Sequence, residues 1–167
     1  MNTPKKAFSK TTAELEACRL SSSLTNEQAQ AIAEMLAASE PWLTLKFPAA
    51  ALANYLMRDD AALRRYAVLI DSQLAGVICV RHPWLRGPYI ELLGLSPDHR
   101  GKGIGKQLLA WAETEARREA KNLWVVASSF NQPALDFYQG LGFYPIGPIQ
   151  GLVTPEHDEI LLRKILV

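Results

Sequence analysis

A chain of 167 residues, 49% apolar and 21% charged, is sized for one ordinary domain and leaves little room for two. Eighteen Lys and Arg stand against 17 Asp and Glu, a net charge of +1, so no broad basic surface for nucleic acid is implied. Two cysteines, Cys18 and Cys79, make no disulfide framework, and no Cys/His cluster has the spacing of a metal site.

Residues 1–14 are polar and without periodicity, which predicts a flexible tail ahead of one domain over 15–167. No apolar stretch follows the early lysines, and no run of about 18 apolar residues occurs anywhere. Neither a signal peptide nor a membrane span is expected, and the chain reads as cytoplasmic. Glu16 to Leu20 reads as a first strand. Thr25 and Gln28 have capping-box spacing for a helix whose Ala29, Ile32, Ala33 and Leu36 share a face. Pro41 and Trp42 stop it, and Pro48 opens a second helix ending near Met57. Tyr66–Ile70 and Gly76–Val80 form a hairpin about a turn at Asp71. Tyr89 to Leu95 is a further strand, closed by Ser96 and Pro97.

Ile104 to about Lys121 carries the strongest helical pattern. Leu123 to Ala127 is a buried-type strand. It returns after a helix, so it should lie parallel beside Tyr89–Leu95. Asn131 caps a short helix that Gly140 ends. Phe143–Ile146 and Glu159–Ile165 are the last strands, with Pro145, Gly147, Pro148 and Gly151 in the loop between them. The order predicts a mixed α/β fold, a central sheet of about 6–7 strands with about four helices on its faces.

The segment richest in chemical meaning is Ser96–Lys106, which follows a strand and opens the longest helix. Gly101, Gly103 and Gly105 let backbone approach a ligand closely. The helix start offers free N–H groups and the positive end of a dipole, a cradle for phosphate or pyrophosphate. Arg100, Lys102 and Lys106 add charge. A P-loop is excluded, because Gln107 stands where a Ser or Thr must bind magnesium. A dinucleotide fingerprint fails at Lys106, which occupies the third glycine position. A glycine-rich turn without a ligand is the plain alternative.

The pattern Arg100-x-x-Gly103-x-Gly105 after such a strand resembles the acetyl-CoA loop of the GNAT superfamily of N-acetyltransferases. Asn131 to Phe143, with Tyr138 followed by Gly142-Phe143, resembles that family's second signature, 31 residues beyond Arg100. The resemblance spans roughly Tyr66 to Lys164. It implies two parallel strands that splay to make a cofactor slot, acetyl-CoA as co-substrate, and no metal. The pyrophosphate would rest on Gly101, Lys102, Gly103, Ile104, Gly105 and Lys106, with Arg100 alongside. The pantetheine arm would pair with the strand edge at Leu93, Gly94 and Leu95, and the Leu93 N–H would serve the acetyl oxygen. Gly94 also suits a bulge in that strand. Asn131 would lie near the arm, and Tyr138 matches the family's general acid.

Glu91 is the lone carboxylate in the apolar run Tyr89–Leu95, so it is expected to be desolvated and suited to base work. It also resembles the glutamate at this position in acetyltransferases of small amines. The resemblance puts the acceptor beside Trp42, Phe47, Trp84, Tyr89 and the last hairpin loop, Ile146 to Pro155; Trp42 and Trp84 are candidate walls, and His82 could reach the same pocket. No acidic run lines these segments, which disfavours an acceptor with many positive charges. A small amine, an amino-acid derivative and a peptide N-terminus all stay open. Neither cysteine lies in the motifs, so transfer is expected to be direct, in a ternary complex. A CoA-binding module without turnover and an enzyme for longer acyl chains are the alternatives. Monomer and homodimer are equally compatible, the edge of the last hairpin being available for pairing.

Overall fold

A computed structural model describes residues 6–167. Chain order begins with two short strands, β1 (Thr12–Glu14) and β2 (Arg19–Ser21), then helices α1 (Asn26–Ala37) and α2 (Ala49–Met57). Three long strands follow: β3 (Leu63–Ile70), β4 (Gln73–Trp84) and β5 (Gly87–Leu95). A 3-10 turn (Pro97–His99) leads to α3 (Ile104–Ala116), β6 (Asn122–Ser128), α4 (Gln132–Gly140), β7 (Tyr144–Thr154) and β8 (His157–Ile165). The strands form one sheet in the order β1-β2-β3-β4-β5-β6-β8-β7. Among the described residues no helix is long and apolar enough to cross a membrane.

The predicted capping box starts α1. Thr25 Oγ1 accepts from the Gln28 N–H, and Gln28 Oε1 accepts from the Thr25 N–H, both at 3.1 Å. Its apolar face, with Leu52 and Leu56 of α2, buries Val77, Cys79 and Leu92 on one side of the sheet. On the other side α3 and α4 cover Ile78, Val80, Ile90, Val125 and Leu162. Each fully buried leucine in these layers is worth about 2 kcal/mol.

Four expectations need correction. Residues 6–14 are not a tail, because Phe8 is buried edge-on against Trp111. The Phe8 N–H donates to Glu115 Oε2 (2.9 Å), and its carbonyl accepts from the Tyr66 hydroxyl (3.0 Å). A single aromatic side chain with two backbone anchors outweighs the polar composition around it. The expected tail residues 1–5 lie outside the described residues. The sheet has eight strands, the extra one being β1, whose three residues give no periodic signal. The prolines and glycines assigned to a loop lie within β7, which begins after Phe143. As an edge strand β7 tolerates prolines that have no N–H to give, and its register shifts after Pro145 and after Ile149. Finally, α3 ends at Ala116, since no large apolar side chain follows until Leu123.

Two features of β5 position the site. Its parallel pairing with β6 extends over only two positions, Tyr89 with Trp124 and Ile90 with Val125. Beyond them β5 stays with β4 as far as Leu95, while β6 follows β8 to Ser128. The strands therefore diverge, as the resemblance implied. The second feature is a bulge. Val80 faces Ile90 and Cys79 faces Leu92, so Glu91 is the extra residue. Ile90 and Leu92 accordingly enter cores on opposite sides of the sheet. Gly94, the position expected to bulge, sits in regular register opposite Val77. A Cβ there would stand 2.4 Å from Leu36 Cδ2, so the approach of α1 is what requires glycine.

Candidate active site

The divergence of β5 and β6 opens a cleft of about 860 Å³. One end is a cradle for an anion. Gly101 (φ +70°) and Gly103 (φ +81°) adopt left-handed backbone, with open space where a Cβ would stand. The first backbone bond of α3 runs from the Gln107 N–H to the Gly103 carbonyl. The N–H groups of Ile104, Gly105 and Lys106 are thus left without helical partners. Arg100 is anchored by donating to the Leu95 carbonyl and to Ser39 Oγ, both at 2.9 Å. Lys106 lines the cleft, whereas Lys102 is exposed to solvent outside it. Free amides, a helix dipole and two cations suit a diphosphate. The apolar length of the cleft is formed by Leu92, Leu93, Leu95 and Val126. Along it the β5 edge that faces β6 has no strand partner beyond Ile90, which suits an amide-bearing arm.

Tyr138 reaches this cleft from α4 between the rings of Phe137 and Phe143. It is buried, and its hydroxyl has no hydrogen-bond partner among the described residues. Burial, with the nearby Tyr89, pushes its pKa well up, so the phenol stays protonated and can donate. Asn131 also lines the cleft while its side chain caps α4 at the Ala134 N–H (3.4 Å).

At the other end Glu91 lines the cleft, but not as an isolated carboxylate. Arg81 Nε donates to its Oε1 (3.1 Å), and Arg81 Nη2 and the Tyr55 hydroxyl donate to its Oε2 (each 3.0 Å). Arg81 also holds Asp60 (3.1 Å), whose pKa the guanidinium lowers. The premise of a desolvated, unpaired Glu91 is corrected: the bulge delivers it to a cation on the neighbouring strand. Trp42 lines the cleft beside Gly94, together with Phe47. Trp84 does not line it; it stacks on Tyr89 (4.7 Å) and meets Trp124 edge-on. His82 is also elsewhere, bonded to Glu119 (2.8 Å) beside Phe8. Cys79 is fully buried, and burial pushes its thiol up to about 12, an inert state.

Sequence reading missed two carboxylates of the cleft. Glu40, whose carboxylate accepts from Thr44, and Glu159 line the cleft along with Glu91, so three carboxylates reach it from distant segments without any acidic run. Leu152 and Val153, within the 146–155 segment expected on the acceptor side, add apolar surface. Alternation was the available signal. Ile160 and Leu162 face the α3 side, so Glu159 must face the other. Among the described residues no group of three or more His, Cys, Asp or Glu is placed to hold a metal.

Comparison with known proteins bears on this geometry. The family model for the acetyltransferase (GNAT) family matches residues 26–143. The chain is 40% identical over 88 residues to the streptothricin acetyltransferase of Streptomyces lavendulae, covering 51% of this chain and 47% of that protein. It thus spans about half the length of the curated streptothricin acetyltransferases it matches. In fold it resembles an acetyltransferase from Thermus thermophilus (TM-score 0.71, 17% identity, 92% of this chain and 100% of that one). It also resembles a Bacillus anthracis protein described as a streptothricin acetyltransferase and solved with acetyl coenzyme A (TM-score 0.58, 23% identity, 65% and 66%). A match over most of the chain, on the segments that build the cradle and carry Tyr138, has one reading: the chain belongs to the acetyltransferase (GNAT) family.

Proposed function

We propose that this chain transfers the acetyl group of acetyl-CoA to a primary amine of a small cationic molecule, by direct attack while both substrates are bound. One observation carries the reading. The apolar slot between β5 and β6 brings an amide-and-cation cradle, Tyr138 and the carboxylates of Glu91 and Glu159 into one cleft. The cofactor would supply an activated thioester. Gly101 through Lys106 would hold its diphosphate, with Arg100 fixed beside them and Lys102 adding charge at the rim. The backbone of Leu93, Gly94 and Leu95 would pair with its arm, and the Leu93 N–H would stabilise negative charge developing on the carbonyl oxygen. Asn131 would border the arm, and Tyr138 would give its proton to the departing sulfur.

On the acceptor side Glu91, held by Arg81 and Tyr55, is a fixed negative wall, and Trp42 offers an aromatic face to a cation. Trp84 acts through Tyr89, as a positioning residue. Streptothricin, named for a relative, is the first acceptor to test. The test is calorimetric titration with acetyl-CoA, CoA and ATP, followed by thiol release in the presence of streptothricin. Binding of both CoA forms but not ATP, with thiol formed only when the amine is added, is the expected result. Absence of CoA binding would sink the reading. Binding without turnover would leave a CoA-holding module, and a preference for propionyl-CoA would identify a longer-chain enzyme.

A further inference from the structure

We propose that Glu159 takes the proton from the incoming ammonium group, and that this carboxylate makes the cleft select a cationic amine. The inference rests on the acetyl-transfer reading above. It begins with position. Glu159 lies on β8 opposite Ser128, the last residue of β6, at the flank of the divergence. Leu123, Val125 and Ala127 of β6 face the α3–α4 side, as do Ile160 and Leu162 of β8. Strict alternation puts Ser128 and Glu159 on the opposite face. Tyr138 comes from α4, so the proton donor and this carboxylate approach the gap from opposite sides of the sheet.

Glu159 is 5% exposed, yet it borders the cleft. Ser128 Oγ donates to its Oε1 at 2.8 Å, and Oε2 has no hydrogen-bond partner among the described residues. Nor does any Lys or Arg pair with it there. Glu91, by contrast, has both oxygens committed to Arg81 and Tyr55. A buried carboxylate with one free oxygen and no counter-cation weakens a fold. It is also the arrangement a proton acceptor requires. Burial raises its pKa, opposed by the Ser128 hydroxyl and by His157 on its own strand. From β5 it meets Tyr89, whose phenol is held protonated by burial and by both Glu91 and Glu159. From β7 it meets Ile149, which carries no charge.

The step balances. The ammonium R–NH3+ passes one proton to Glu159, which returns it to water. The freed nitrogen forms its bond to the acetyl carbon as the carbon–sulfur bond breaks. The second nitrogen proton leaves as the amide forms, and the departing thiolate takes one from Tyr138, which is restored from solvent. Net, one acetyl group moves, one thiol forms and one proton is released.

The experiment compares wild type with Glu159→Gln, which keeps an acceptor for Ser128 and so preserves local structure. The probes are streptothricin and L-lysinamide, across pH 6 to 9.5, with acetyl-CoA affinity measured in parallel. Wild type should outpace the variant about 100-fold in kcat/KM at pH 7. Acetyl-CoA affinity should stay within about twofold, because nothing in the cradle changes. The deficit should shrink as pH nears the amine's own pKa, where the acceptor arrives already deprotonated. A variant within about threefold of wild type at pH 7, or a deficit that does not change with pH, overturns the inference. So does loss of acetyl-CoA binding in the variant, which would mark a structural role. Wild type that yields no thiol with either probe overturns this inference together with the acetyl-transfer reading. Full activity in the variant overturns the inference alone.

Discussion

The two ends of the cleft are built in opposite ways. The cradle is one continuous stretch of chain, Leu95 to Lys106, in which the backbone is proposed to do the binding and side chains to trim it. The proposed acceptor end is gathered from places far apart in the chain: Trp42, Tyr89 and Glu91, Leu152, and Glu159. A contiguous backbone device tolerates little local change but is insulated from the rest of the fold. A side-chain device assembled from many elements can be retuned one residue at a time, and each residue is answerable to its own strand or helix. Substitutions at the first end should strike binding of the cofactor alone. Substitutions at the second should divide between acceptor chemistry and stability.

The sharpest way to break that contrast is Gly103→Val. Its left-handed backbone disfavours a β-branched residue, and a side chain there stands where a phosphate must approach. Acetyl-CoA affinity should fall by at least 100-fold, about 3 kcal/mol, as read by calorimetry. Retained affinity would mean the backbone of this turn is not the binding surface. Next in size is Tyr138→Phe. Turnover should fall about 10- to 100-fold with acetyl-CoA affinity unchanged, since only the proton donor is lost. A fall in affinity instead would make Tyr138 a packing residue.

Glu91→Gln probes the acceptor end. It weakens the charged hydrogen bonds from Arg81 and leaves that cation half-buried with Asp60 alone. The loss should be about 2 kcal/mol, a drop in Tm of roughly 4–8 °C, together with a higher KM for a cationic amine. An unchanged Tm would show that the Arg81 pair is not part of the fold's support.

Glu159 should behave in the reverse sense. Its folded-state proton affinity is raised above that of the unfolded chain. The folded protein therefore binds more proton between the two pKa values, and stability falls as pH rises through that window. Glu159→Gln should flatten this slope and, at pH 7, be at least as stable as wild type by thermal melting. A destabilised variant would reveal a structural bond not accounted for. The smallest effect belongs to Cys79→Ala, which should lower Tm by a few degrees through a small cavity while turnover stays within about twofold. Abolished turnover would point to an acetyl-cysteine intermediate and end the direct-transfer scheme.

The same asymmetry explains what could be read from sequence. Capping residues, glycines at alternating positions and the apolar stripes of α1 and α3 are local signals, and the helices they specify begin where they were expected. The divergence of β5 and β6 follows from recognising a motif rather than from any periodicity. What escapes the reading depends on register. Whether Glu91 is alone or faces Arg81 is decided by one extra residue in β5, and a bulge leaves no clear mark in an apolar run. Glu159 joins the cleft only because β8 inserts between β6 and β7. Phe8 is hidden among polar neighbours, and tertiary packing on Trp111 and Tyr66 decides its fate.

The extra residue at Glu91 has one more consequence. A pleated strand has parity: odd and even positions belong to different sides. Before Glu91 the even residue Ile90 packs beneath α3; after it the odd residues Leu93 and Leu95 do so, while Leu92 turns toward α1. Glu91 is therefore the one position that the strand's alternation does not count. If it were deleted, Ile90 and Leu92 would become neighbours and would still point to opposite sides, each opposite its present partner on β4. The frame of the slot would survive while the Glu91 carboxylate, the partner of Arg81, was lost. Deleting Leu92 instead would draw Glu91 into the place opposite Cys79 and press a carboxylate into the apolar layer beneath α1. Two adjacent codons thus differ in kind: loss of one takes a single carboxylate from the cleft, and loss of the other unseats the sheet.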